Sequence, residues 1–131
     1  MKEYYQPRGG KKGKFALREN TYRRTWYLIA DYPYFKAVQR GQADAQEFTQ
    51  ANSSGIAEKM FEYNLQAEQC ERYIKAIEAA QEKVPEQYVE NIMNHIISRK
   101  QYKDMENVSE RTIKIWVQRF IWHVAHNLGD A

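Results

Sequence analysis

Ser109, Glu110, Arg111, Thr112 and Lys114 sit at the start of an amphipathic segment, and each can bond a base edge or a phosphate. Arg and Lys present donors that match guanine, Gln matches adenine, Glu accepts from cytosine, and the Thr methyl can touch thymine. Gln118 and Arg119 share the same polar face in a helical reading, so all seven are assigned as base-facing. Arg99, Lys100 and Lys103 precede them and suit phosphate contacts, which position a protein without reading sequence. Residues 98–119 hold six basic and three acidic side chains, against a net −3 for everything after residue 24.

Other chemistry finds less support. His123 and His126 stand three apart on one helix, but two ligands do not close a metal site, and histidines near a helix C-terminus also suit its dipole. Gly9-Gly10-Lys11-Lys12-Gly13-Lys14 lacks the spacing and the preceding strand of a phosphate-cradling loop. Cys70 falls in an apolar stripe and reads as a buried thiol. Carboxylates are scattered along helix surfaces without pairing. The expectation is a protein with no catalytic residues, no metal and no cofactor.

The elements that position the polar residues follow from periodicity. Pro85 to Ile97 reads as one helix, Gln101 to Met105 as a short second one, and Glu106-Asn107-Val108 as a turn. Ser109 is a favoured N-cap for the final helix. On that helix Ile113, Trp116, Phe120, Val124 and Leu128 recur at helical spacing, broadened by Val117 and Ile121. Burying this stripe against the Pro85–Ile97 helix turns the opposite face outward. Ile115 and Trp122 lie off the stripe, which favours a protein partner or self-association there.

Upstream, a helix starts near Asn20 or Thr21 and ends near Asp31, because Pro33 disfavours helical geometry at Tyr32. A short helix follows from Pro33 to Arg40, with Gly41 as its stop and residues 41–53 as loop. Ser54 caps a long helix to Glu82, with Ile56, Met60, Tyr63, Ala67, Cys70, Ile74 and Ile77 as a heptad seam. Phe61, Leu65 and Tyr73 widen that seam. Intramolecular packing and a dimeric coiled coil both remain open. Tyr22, Trp26, Tyr34 and Phe35 fill a small core against the long helix, or stack on unpaired bases. The fold class is therefore all-α: N-terminal helices on a long central helix, then a C-terminal helix-turn-helix. The divisions are a basic flexible arm over 1–18, a helical region over 19–84, and a DNA-binding region over 85–131.

The chain has 131 residues and a formal net charge of +3. Residues 1–24 carry eight basic and two acidic side chains, so the positive charge is concentrated at one end. Lys11, Lys12 and Lys14 of this arm join Arg99, Lys100 and Lys103 as expected phosphate contacts. No apolar run reaches the roughly 18 residues of a membrane span. The single cysteine and the lack of an apolar leader fit a cytoplasmic protein.

The stretch PEQYVENIMNHIISRKQYKDMENVSERTIKIWVQRFIWHVAHNLG resembles the promoter-binding fourth region of bacterial sigma factors. The wider arrangement resembles the RinA-type activators of phage late genes. Asp31-Tyr32-Pro33 matches the end of their N-terminal helix, residues 54–82 their long middle helix, and Val108-Ser109-Glu110-Arg111-Thr112 the turn before their recognition helix. The resemblance implies sequence-specific binding to double-stranded promoter DNA in the host bacterial cytoplasm and engagement of host RNA polymerase, by a possible homodimer. It also implies that Ser109, Glu110, Arg111, Thr112 and Lys114 read DNA. Two alternatives remain from the sequence: a small terminase subunit that recognises DNA for packaging, and a helical interaction module that never touches DNA.

Overall fold

A computed structural model describes residues 4–5, 13–51 and 56–131, with side chains at 13–41 and 66–131. Among the described residues the chain is all-helical apart from one short ribbon. Strand β1 (Tyr4–Tyr5) pairs antiparallel with β2 (Leu17–Arg18). Five helices follow: α1 (Glu19–Ala30), α2 (Tyr32–Ala51), α3 (Ile56–Gln81), α4 (Glu86–Ser98) and α5 (Glu110–Asn127).

Helix α1 buries Ile29 completely and Thr25 almost so, and the Thr25 hydroxyl donates to the Thr21 carbonyl at 2.7 Å. Asp31 closes α1, and its carbonyl accepts from Phe35 N at 3.0 Å, so the chain turns directly into α2. Pro33 lies in the first turn of α2, where its missing N–H costs nothing. The expected stop at Gly41 and loop over 41–53 are overturned: α2 continues to Ala51. One glycine costs a helix about 1 kcal/mol, and the Gln, Ala and Glu residues after it are good helix formers.

Helix α3 buries Ala67, Cys70, Ile74 and Ile77 of the expected seam, and adds Ala76 and Ala80. The side chains of Ile56, Met60, Phe61, Tyr63 and Leu65, and all of Ser54, lie outside the described residues. Both flanks of the described part are covered by the chain itself. Phe35 of α2 meets Tyr73 at 5.1 Å between ring centroids. Asn127 of α5 donates its amide to the Ala76 carbonyl at 3.0 Å, and Phe120 packs near Gln81 and Val84. The two helices thus run in opposite directions, brought close by the alanines. Of the four aromatics expected on this core, Phe35 is buried. Tyr34 is exposed, and Trp26 meets His95 of α4 edge-on at 5.4 Å.

The buried side chains form one cluster, from Leu17 through Ile29, Ile77 and Ile92 to Val124. It draws on both sides of the division at residue 84. The arm expected to be flexible over 1–18 is structured in part: Leu17 is buried, and Tyr4 and Tyr5 lie in the ribbon. Leu17 and Phe15 are apolar enough to hold that end down.

Tyr32 ties α2 to α3 by donating its hydroxyl to Glu78 Oε2 at 2.6 Å. Burial, the hydrogen bond and the Glu78 charge push the phenol up to about 12 from 10.0. A phenol that ionises less readily when folded stabilises the fold below pH 10, and that contribution fades as pH rises towards about 12. Tyr32→Phe is expected to lose about 1 kcal/mol at neutral pH. It should also show a shallower loss of stability above pH 10 than the parent in urea melts. Ile121→Ala, at a fully buried site, is expected to cost about 2–5 kcal/mol in the same melts.

Candidate nucleic-acid interface

Helix α4 ends because Arg99 adopts a left-handed conformation, φ 58°, which turns Lys100 N back onto the Asn94 carbonyl at 3.2 Å. The Lys100 carbonyl then lies 2.6 Å from His95 Nδ1. That oxygen only accepts, so Nδ1 carries the proton in this contact. The His95 ring stacks on Tyr102 at 4.1 Å between centroids, and Lys114 Nζ lies 5.3 Å from the Tyr102 centroid. One aromatic column thus joins α4, the connecting segment and α5.

The expected second helix, Gln101 to Met105, is a single 3-10 turn at Tyr102–Asp104. Met105 is buried directly after it and anchors the segment through one side chain. Asn107 then takes a left-handed φ of 61°, a conformation that Asn tolerates better than most residues. Val108 packs on the core, and Ser109 opens α5. The Ser109 Oγ accepts from Thr112 N at 3.0 Å and donates to Thr112 Oγ1 at 3.0 Å. The sequence reading placed this cap, turn and helix start correctly.

The first turns of α5 bring Ser109, Glu110, Arg111, Thr112 and Lys114 together. Arg111 is exposed and has no carboxylate partner among the described residues. Lys114 Nζ lies 3.0 Å from Glu110 Oε1 in an exposed pair of the kind that contributes little. Glu110 also sits in the first turn, where its charge suits the helix dipole. Arg99 and Lys103 are exposed and Lys100 is half-buried, all without carboxylate partners among the described residues.

Gln118 and Arg119 do not lie on a free outer face. Gln118 does not face outward: it is 7% exposed, and its Nε2 donates to the Phe15 carbonyl at 2.7 Å. Its Oε1 is buried without a partner. The cause is rotation: burying Ile113, Val117, Ile121 and Ala125 carries Gln118 to the edge of the core, where the segment before β2 covers it. Arg119 is half-buried, its guanidinium 4.9 Å from the Phe15 centroid and 5.1 Å from that of Trp116. Lys14 also lies by Phe15, at 5.5 Å. Lys11 and Lys12 lie outside the described residues.

Trp122, expected to await a partner, meets Phe15 edge-on at 5.2 Å between centroids. The chain's own N-terminal segment therefore covers the second half of α5. Ile115 stays 36% exposed on the first half. His95, Tyr102 and Met105 are the supports that sequence reasoning missed. Their partners are set by the bend, and no periodic signal marks them.

Among the described residues no three His, Cys, Asp or Glu side chains stand close enough to hold a metal ion. No described helix is long and apolar enough to cross a membrane. No protein-family model, curated protein or solved structure matches the chain.

A buried Gln that holds the segment before β2 acts on stability, whereas a base-reading Gln acts on sequence choice. Gln118→Ala is expected to lower stability by about 1–2 kcal/mol in urea melts, from the lost hydrogen bond and contacts. Any DNA sequence preference should stay unchanged in competition gel shifts.

Proposed function

We propose that this protein is a sequence-specific DNA-binding transcriptional activator of the phage late-gene type. In this reading α4, the 3-10 turn and α5 act as a helix-turn-helix that docks on promoter DNA. The remaining helices engage host RNA polymerase or a second copy of the chain. The observation that carries the reading is the start of α5. Ser109 caps it immediately after a left-handed bend, and the exposed Arg111 stands beside Thr112 at its tip.

A recognition helix needs its N-terminal residues free and its approach cationic. Arg111 would pair with a guanine edge, and Thr112, its hydroxyl oriented by Ser109, would contact a neighbouring base. Lys114 would reach out from the Tyr102 ring. Arg99, Lys100 and Lys103, on the two segments leading to the bend, would hold phosphates. The resemblance to RinA-type activators and to the sigma fourth region points the same way. It is also the source of the promoter, the polymerase and the late-gene role in this reading.

The test is a gel-shift series across salt on a selected duplex and on random duplex. Arg111→Ala is expected to weaken specific binding by about 1–3 kcal/mol and to relax sequence choice. Lys103→Ala is expected to weaken both duplexes alike and to reduce the salt slope by about one. Equal losses on both duplexes for Arg111→Ala would overturn the groove assignment. Footprints that do not change when polymerase is added would remove the activator role.

A further inference from the structure

Five cations among the described residues have an acidic neighbour. Arg23 pairs with Glu19, Arg24 with Asp130, Lys36 with Glu78, Lys75 with Glu71 and Lys114 with Glu110. Lys14, Lys83 and Arg119, like Arg99, Lys100, Lys103 and Arg111 at the bend, have no carboxylate partner among the described residues. Lys14 and Arg119 gather instead on one ring. Lys14 Nζ and the Arg119 guanidinium lie 5.5 and 4.9 Å from the Phe15 centroid, and the His123 ring lies 5.7 Å from it.

The base under these groups is packed. Trp122 meets Phe15 edge-on, and His126 stacks on Trp122 at 4.8 Å with ring planes 9° apart. The Phe15 carbonyl is held by Gln118, and Leu17 next along is buried. Like charges held together without an anion raise one another's energy, and a phosphate relieves that. The groups acting on His123 come from three places: Lys83 on the turn after α3, Lys14 before β2, and Arg119 and His126 on its own helix. All are cationic. With burial as the largest cause, they hold its imidazole below the ordinary 6.5.

We propose that Lys14, Arg119 and His123, gathered on Phe15, form a phosphate-binding site that takes a DNA phosphodiester beside the groove entered by α5. This rests on the DNA-binding reading above. Arg119 lies eight residues beyond Arg111, about 12 Å along the helix and within about 80° of it around the axis. The major groove is about 12 Å wide, so a helix that puts Arg111 at a base edge brings Arg119 to the bordering phosphates. The site accepts a negative charge, and His123 takes up a proton as it does so. Affinity therefore rises as pH falls.

The experiment measures duplex binding by the full chain at fixed salt at about pH 7.5 and about pH 5.5, where histidine changes charge. The parent is expected to gain about threefold to tenfold at the lower pH, the effect of shifting one pKa by half a unit to one unit. His123→Gln should lose most of the gain, while His126→Gln and Arg111→Ala keep it, the latter on a weaker baseline. A gain in His123→Gln as large as the parent's overturns the proposal. Lys14→Gln changes an exposed side chain and leaves the core intact. It should weaken binding at both pH values and raise the His123 titration midpoint in proton NMR, and an unmoved midpoint counts against the site. If no duplex binds at any pH, the DNA reading fails, and inorganic phosphate becomes the probe. A higher His123 midpoint in phosphate than in chloride keeps the anion site, and identical midpoints overturn it.

Discussion

Helix α5 has one rotation about its axis that buries Ile113, Val117, Phe120, Ile121 and Val124 together, and the rest of the structure follows from it. Each such side chain is worth about 1.5–3 kcal/mol when fully buried. An exposed ion pair such as Glu110–Lys114 is worth about 0.2–1 kcal/mol. The apolar stripe therefore sets the rotation, and the polar residues take whatever direction remains. Arg111 is left outward, Lys114 is left over Tyr102, and Gln118 is carried to the core edge. A polar residue's type alone does not decide where it points.

The bend before α5 depends on contacts that cross elements. The His95 ring lies between Trp26 of α1 and Tyr102 of the 3-10 turn, while its Nδ1 reaches the Lys100 carbonyl. Arg99 and Asn107 hold positive φ on either side of that turn. Residues other than glycine sit there at a cost, and the stack, the hydrogen bond and buried Met105 offset it. The same column reaches back to α1, so the N-terminal helices are in physical contact with the segment that sets the angle of α5.

Local chemistry was legible in the sequence, and contacts between distant residues were not. The Ser109 cap, the turn before it and the start of α5 are written in residues that touch within a few positions. Helix α4 was placed to within a residue at each end for the same reason. Gly41 misled because a local penalty of about 1 kcal/mol is small against the seven Gln, Ala and Glu residues that follow it in α2. Gln118 misled because its partner, the Phe15 carbonyl, is 103 residues away in sequence. Trp122 was rightly seen as lying off the core stripe, yet the group that covers it is Phe15, from the arm read as flexible.

That arm changes what α5 can present. An uncovered helix of 18 residues would offer one continuous outer face. Here Phe15 closes the face from Gln118 onward and leaves the turns from Ser109 to Ile115 open. The open part is short, so a duplex that meets it makes few base contacts. In the DNA-binding reading, affinity would come largely from phosphates, which agrees with the cations that have no carboxylate partner among the described residues: Arg99 and Lys103 at the bend, Lys14 and Arg119 at the covered half. Docking Phe15 and Leu17 also holds Lys14 beside the second half of α5. Positive charge held in place loses less entropy on meeting a polyanion than the same charge on a free chain. The apolar pair Phe15 and Leu17 thus does electrostatic work, because it fixes where Lys14 and Arg18 stand relative to α5.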